Sequence, residues 1–327
     1  MADKTTGKKS YRRLNASDLE VEPVVSTEVE KALGYAPAGS IEVHLSSNGQ
    51  LGLPATVHVK DYTFDDAVAL SELDDDHQYS ILLPVFKNVV CEDIDISKAT
   101  LPDMMEVFMS IIGTWYSPTI EDLPYYVNDH LEGDALTSRE NISKASIPIG
   151  NIQTRKIDPG SRAPITLQKG DGVRVSIDIP RPAVEVLARK YMTEVDSDLL
   201  EQLSSKKSAY DSGHLNEKES RDYELLERQK NLRLMRYINA YSIVELDGKA
   251  PSNMEERLSM IEKVPLSYWG VYSKVFSSKF DYGVRPEVRF RCTITNKMIT
   301  RSFPFRLSTF IPTMDKTGDS GFDVHLG

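Results

Sequence analysis

The alternation of apolar and polar residues predicts three antiparallel hairpins in this chain. In each hairpin, two alternating segments flank a short turn whose residues favour a tight reversal. A strand of this kind has one apolar face, which must pack against the rest of the protein. The paired segments are residues 41–45 with 55–59, 165–167 with 173–179, and 288–295 with 299–305.

Helical periodicity and capping residues predict helices between these hairpins. Thr63 can cap a helix whose first turn is acidic, and Pro102 suits the first turn of another. Aspartate and glycine at 247–248 would end the longest one. The predicted helices are residues 63–73, 100–113, 183–192, 217–244 and 254–263, with a last helix that begins at Pro265.

The segment 100–113 is too apolar for a surface helix. Its only polar face is formed by Asp103, Glu106 and Ser110. The remaining surface is either the centre of a domain core or, in part, an adaptable methionine-rich groove that binds a protein. The candidate interaction residues here are Met104, Met105, Phe108 and Met109.

Two more helices carry candidate buried or binding faces. In the long, mixed-charge segment 217–244, the predicted buried stripe is Leu225, Leu232, Met235 and Ile238. The aromatic rings of the last helix cover a broad face, which is either core or an exposed recognition surface. Its candidate interaction residues are Trp269, Tyr272 and Phe276.

These elements predict an α+β fold with two small mixed α/β subdomains, antiparallel hairpins and a long charged helix. The polar, acidic stretch around residues 120–145 suggests a loose boundary. The predicted parts are an extended N-terminal arm (1–39), an N-terminal α+β domain (40–145), a C-terminal α+β domain that contains the long helix (146–312), and a polar tail (313–327).

Composition narrows the classes of protein that fit. The 327 residues have a formal net charge of −10, which disfavours binding to nucleic acid phosphates. Two cysteines are too few for a secreted disulfide scaffold, which favours a reducing cytosol. Basic residues near the N-terminus precede no apolar stretch, and the apolar runs are too short to span a bilayer, so we expect a soluble protein without a membrane contact.

No catalytic or metal-binding pattern emerges from the residue types and spacings. The six histidines lack ligand spacing, and neither a nucleophile motif nor a phosphate-binding loop is present. The best cluster, His77 after three aspartates, reads most simply as a solvated loop, and no carboxylate pair is marked by an apolar setting. We therefore expect no enzyme, no cofactor and no metal.

Four stretches, taken in their order along the chain, resemble the baseplate hub assembly family of T-even-like contractile-tail bacteriophages. They are the turn 45–49 with the strand 56–59, the hairpin 169–179 before a proline and helix, the end of the long helix at 238–248, and the strands around Phe290 to Cys292 and Phe303 to Phe305. Many members of this family carry a Cys-x-x-Cys pair at the last place. Here Thr295 stands at the second position, and because of this departure from the family pattern we expect no zinc.

The resemblance implies a non-enzymatic tail or baseplate protein made in the host cytoplasm. Such a protein would remain in the virion as a structural component, or help hub proteins assemble and then leave. Its implied partners are other tail and baseplate proteins, and a homo-oligomer stays open because many tail components are symmetric assemblies. Composition alone equally allows a cytoplasmic adaptor unrelated to phages.

Overall fold

The computed structural model describes residues 38–73, 78–170 and 172–310, apart from the side chains of residues 307 and 308. Within these ranges the chain forms eight α-helices and eleven strands, and the strands pair in small antiparallel sheets. This confirms the predicted α+β class. Nearly all of the predicted arm and the whole predicted tail lie outside the described residues.

The first described segment is a hairpin followed by two helices. Strand β1 (Ile41–His44) pairs with β2 (Thr56–Val59), which confirms the first predicted hairpin. Helix α1 (Phe64–Ser71) begins as predicted, because the Thr63 hydroxyl accepts from the backbone of Asp66 and the Asp66 carboxylate accepts from the backbone of Thr63. Helix α2 (Gln78–Val89) follows at a place where we predicted no element.

Helix α3 (Leu101–Ile111) lies where a helix was predicted and continues as a single π-helical segment, Ile112–Tyr116. The Thr100 hydroxyl caps its first turn. The chain then forms β3 (Thr119–Tyr126) and β4 (Ile142–Pro148), which pair with each other. The stretch suggested as a loose boundary is therefore mostly a hairpin, and position 145/146 lies inside β4.

The C-terminal hairpin packs into the same core as this N-terminal part. Strand β10 (Glu287–Arg291) pairs with β11 (Met298–Ser302), in agreement with the third predicted hairpin. The main core joins residues from both sides of the suggested boundary, including Phe86, Phe108, Ile147, Val288 and Phe303. The described residues from Gly39 onward belong to one compact unit.

A second region is built around a three-stranded sheet and a helical group. Strands β6 (Ile165–Gln168) and β7 (Arg174–Ile177) form the second predicted hairpin, and β8 (Ile243–Leu246) pairs with β7. The short strands β5 (Thr154–Arg155) and β9 (Gly283–Val284) pair elsewhere. The helices are α4 (Pro182–Val195), α5 (Ser197–Asp211), α6 (Glu217–Ser242), α7 (Met254–Lys263) and α8 (Leu266–Lys279).

The long helix α6 is shorter than predicted. It has 26 residues and ends at Ser242, and the residues that follow belong to β8. Our prediction extended the helix through residue 244, whereas Ile243 lies opposite Ile177 of β7 and its side chain is fully buried. Pairing with a neighbouring strand overrides local helical periodicity here. One side of α6 contacts α4, α5 and α7.

Candidate protein-binding surface

The methionine-rich helix α3 is occupied by the core. Met104 and Phe108 are fully buried, Met109 is buried, and Met105 is partly buried against the main core. The Phe108 ring lies edge-on to Phe86, with ring centroids 6.2 Å apart. Of our two interpretations of this helix, core or groove, the core describes the position of Met104 and Phe108, whereas Met109 also borders an open pocket beside Ile41 and Ile149.

The three aromatic candidates on α8 are half-buried. Tyr272 stacks on Phe276 with ring centroids 6.2 Å apart, and Trp269 meets Tyr272 edge-on. The Tyr272 hydroxyl donates to the backbone carbonyl of Asp178 at 2.8 Å. Trp269 and Tyr272 pack partly against the core under the β6–β8 sheet. Tyr272 and Phe276 also pack against a neighbouring cluster that contains Ile179 and Phe280. The inner side of each ring is therefore covered, and part of each ring is exposed.

Helix α6 exposes the stripe that we predicted to be buried. Leu225, Leu232 and Met235 are 57%, 59% and 60% exposed. The prediction for these three residues was wrong. Only Ile238 from that set packs against the helical cluster.

The buried stripe of α6 lies on another face. Its buried residues include Tyr223, Leu234 and Tyr237, which pack with α4 and α5 residues such as Met192 and Leu203. Two apolar stripes thus run along this helix, and only one has a partner among the described residues.

Polar contacts fix the rotation of α6. The Tyr237 hydroxyl donates to the carboxylate of Asp196 at 2.7 Å, and Arg233 forms an ion pair with the same carboxylate. Asp196 lies between α4 and α5 and is buried. A capping box between Asn216 and Glu219 defines the start of the helix. Because these contacts hold the inner face inward, the stripe with Leu225, Leu232 and Met235 must face solvent.

A groove of about 440 Å³ runs beside this exposed stripe. Its walls include Tyr210 from α5, Tyr223 at the edge of the buried stripe, and the exposed Leu232 and Met235. Tyr210 and Tyr223 stack with ring centroids 4.3 Å apart. The groove gives the stripe a mostly apolar border, which suits a side chain from a second helix.

Charges alternate around the exposed stripe. Arg228 lies within it and lines the groove, and Glu224 and Glu227 stand on the groove side. Exposed Asp222 stands on the other side and makes no ion pair with any described residue, whereas Arg236 pairs with Glu262 of α7 at 2.6 Å. This surface can therefore select a partner by charge as well as by apolar contact.

The polar face of α3 is buried, which our sequence reading of the carboxylates missed. The exposed fraction of Asp103 is 0% and that of Glu106 is 3%. The Glu106 carboxyl group accepts from the backbone N–H of Ser46 at 2.7 Å and also contacts the Ser46 hydroxyl. The Thr100 hydroxyl donates to Asp103 at 2.7 Å. Glu106 thereby links the turn at residues 45–49 to α3, whereas Asp103 pairs with Thr100, which caps the same helix.

Burial shifts the proton affinity of both groups. It raises the pKa of Asp103 above its ordinary value, against the opposing effect of the Thr100 hydrogen bond. It raises the pKa of Glu106 from 4.5 to about 7, with hydrogen bonds from Ser46 opposing and the neighbouring Asp103 adding to the rise. Because the pair is enclosed between a turn and a helix, its role is to hold the fold together.

Replacing Glu106 with glutamine is expected to remove a pH dependence of stability. A folded-state pKa of about 7 means that the unfolded chain releases this proton first as pH rises. The contribution of Glu106 to the free energy of unfolding should therefore fall by about 3 kcal/mol between about pH 4.5 and 7. Glutamine resembles the protonated carboxyl group and cannot ionise. The stability of the variant relative to the wild type should therefore increase as the pH rises across this range.

Urea unfolding of both proteins at about pH 5 and about pH 8 measures this difference. The exposed Glu201 of α5 provides the matched control, and Glu201→Gln should show the same pH dependence as the wild type. If the difference in the free energy of unfolding between the wild type and Glu106→Gln is the same at both pH values, the buried, proton-binding role of Glu106 would be contradicted.

Metal ligands do not cluster in the described part of the chain, where no group of three or more His, Cys, Asp or Glu side chains could hold an ion. His77, the best sequence candidate, lies outside the described residues. At the position of the family's Cys-x-x-Cys pair, the backbone N–H of Thr295 donates to the Cys292 sulfur at 3.4 Å. Thr295 thus approaches Cys292 through its backbone.

Comparisons with known proteins yield no relative. No family model, curated protein or solved structure matches this chain significantly. Among the described residues, no helix has both the length and the apolar character needed to cross a membrane. Within the described structure, the exposed stripe of α6 and its groove are the strongest candidate for a binding surface.

Proposed function

We propose that this chain is a non-enzymatic tail or baseplate protein of a contractile-tail bacteriophage that acts by binding other protein chains. It serves either as a structural component or as a chaperone of baseplate hub assembly in the host cytoplasm. The observation that carries the mode of action is the exposed stripe of α6. The phage assignment rests on the resemblance of the four ordered stretches.

The exposed stripe suits a helix from another chain. Leu225, Leu232 and Met235 recur at the spacing of a coiled-coil seam and are surrounded by charged residues. Burial of one such side chain contributes roughly 1 to 2 kcal/mol, since about half of each is already covered. Three together can support a specific but modest contact. The bound helix would place its own apolar stripe on this face.

Replacing Leu232 with arginine is expected to weaken association with tail proteins without unfolding the chain. The side chain is 59% exposed, so arginine can remain solvated in the free protein. In a complex, however, it would place a charge inside an apolar seam. Tagged wild-type and variant chains, expressed in phage-infected cells, would be purified and their co-purifying tail proteins quantified by mass spectrometry. We expect at least a roughly tenfold loss for the variant.

Leu266→Arg is the matched control for this experiment. Leu266 is 85% exposed and lies on a different helix, α8. Its variant should retain tail proteins at the wild-type level. Equal retention by wild type and Leu232→Arg would contradict the proposed mode of action. Consistent capture of host proteins in place of tail proteins would favour the adaptor alternative.

A further inference from the structure

The exposed stripe of α6 has the pattern of a short coiled-coil seam. If Leu225 and Leu232 occupy a positions of a heptad, Arg228 and Met235 occupy the d positions. All four side chains are exposed. The seam therefore spans 11 residues, or about 16 Å of helix. A partner helix of similar length and pattern is needed to cover it.

The charges of the residues beside the seam indicate whether a partner helix runs parallel or antiparallel to α6. On one flank, the e positions hold Asp222, Gln229 and Arg236. On the other flank, the g positions hold Glu217, Glu224 and Asn231. The opposite charges of Asp222 and Arg236 lie at equal distances in sequence from Gln229. The e flank is therefore charge-complementary to a reversed copy of itself.

An antiparallel pairing of two α6 helices satisfies this pattern. In antiparallel coiled coils each a residue lies opposite a d residue, and e positions face e positions. A twofold axis near residue 230 then places Leu225 opposite Met235 and Arg228 opposite Leu232 of a second copy. The same axis brings Asp222 near Arg236 twice, once on each side of the dimer.

A parallel pairing of the same helices is disfavoured by charge. It would place Arg228 against Arg228 of the second copy in a d layer. It would also bring Glu217 near Asp222 across the seam, since g and e positions face each other in parallel pairs. Like charges at these places oppose association.

We propose that the outer face of α6 pairs with α6 of a second copy of this chain, in antiparallel orientation across a twofold axis. The proposal rests on the proposed function in that it names the helix bound by the same face. Arg236 would contact both Glu262 of its own chain and Asp222 of the second copy. Arg228 would lay its aliphatic stem on Leu232.

The length of the seam sets the strength of the dimer. A stable interface covers about 800 Å² on each partner, and a two-heptad seam covers less. We therefore expect a dissociation constant on the order of 10 to 100 µM. Such a dimer forms at high local concentration, for example when several copies are held together in an assembly.

Sedimentation velocity of the purified full chain tests the pairing. From about 5 µM to about 300 µM, the wild type should shift from mostly monomer to mostly dimer. Leu232→Arg should remain monomeric over this range, whereas Leu266→Arg should dimerise like the wild type. A wild type that stays monomeric throughout, or a Leu232→Arg chain that dimerises normally, would overturn the proposal.

Charge reversal and cross-linking test the orientation. Asp222→Arg and Arg236→Glu should each raise the dissociation constant by about fivefold, and the double variant should recover most of that loss. Far-ultraviolet circular dichroism would verify that the Arg236 variants, which also lose the contact with Glu262, keep their helix content. Failure of the double variant to recover affinity would overturn the antiparallel pairing.

A cysteine at residue 229 should cross-link the two copies, because this e position lies near the twofold axis. Under mild oxidation, Gln229→Cys should form a disulfide-linked dimer. Gln202→Cys, at an exposed position of α5, should give only a background yield of dimer. Equal yields would overturn the pairing.

The two proposals can fail separately. If the chain is monomeric but wild type retains tail proteins and Leu232→Arg does not, the face binds a helix of another protein, and only the second-copy inference is overturned. If the chain dimerises as described yet tail proteins are absent from every preparation, the pairing stands and the phage function fails.

Discussion

Replacing Arg181 with methionine is expected to lower the free energy of unfolding by about 3 to 5 kcal/mol. The Arg181 side chain is only 5% exposed and forms an ion pair with Asp178 at 2.9 Å. Its guanidinium also donates to the backbone carbonyl of Leu51 at 3.1 Å and to that of Lys98. One buried cation therefore joins three segments of the chain.

Methionine fills similar space but donates no hydrogen bond. It would leave the mostly buried Asp178 carboxylate without its cation and two carbonyl groups without a donor, which is why the expected loss is large. Chemical denaturation followed by circular dichroism measures the change. Arg162→Met is the control, because exposed Arg162 contacts Gln50 at the surface and its loss should cost less than about 0.5 kcal/mol. Similar losses for both variants would contradict the role assigned to Arg181.

Replacing Phe108 with alanine is expected to cost about 3 to 5 kcal/mol of stability. The ring is fully buried in the main core and contacts both Phe86 and Tyr62, with centroids 6.2 Å away in each case. Alanine would remove this apolar surface and leave a cavity, which the surrounding close-packed side chains can fill only in part.

The comparison with Phe64 makes this prediction specific to burial. Phe64 lies on α1 and is 78% exposed, so Phe64→Ala should change the free energy of unfolding by less than about 0.5 kcal/mol. If Phe108→Ala is equally mild, α3 would be open to a partner rather than part of the core. The pair of variants thereby tests the core position that the structure gives to this helix.

Three hairpins and most helices could be predicted from sequence because their signals are local, whereas the β3–β4 hairpin was not predicted. Alternation and turn residues mark the three hairpins, and Thr63 and Pro102 mark the starts of α1 and α3. Helix α2 was not predicted, and Pro84 lies inside it, where proline normally disfavours a helix. Helix α5 was not predicted either, since it buries only Leu199 and Leu203.

The face of α6 could not be predicted because its sequence contains two apolar stripes. Periodicity shows that Leu232 and Leu234 lie on different faces, but the choice between them depends on what α4 and α5 present. Asp196 binds Tyr237 and Arg233 and thereby fixes which face of α6 points inward. Tertiary contacts of this kind connect residues about 40 positions apart and leave no local pattern.

The buried carboxyl groups illustrate the same limit. The helical face of Asp103 and Glu106 could be read from their spacing, but their burial depends on the turn at residues 45–49 packing over them. An unusually apolar helix with a narrow polar face was the available signal. It indicates that the polar face is also covered, since such a helix has little surface to expose.

As a tail or baseplate protein, which we propose it to be, this chain must meet other baseplate proteins in the infected cell. Quantitative mass spectrometry of purified tailed particles and of baseplate assembly intermediates from the same infected culture tests it most directly. We predict that the chain is found with baseplate proteins in fixed stoichiometry, either in the particles or only in the intermediates. Absence from both, while the chain is expressed in the infected cells, would contradict the claim.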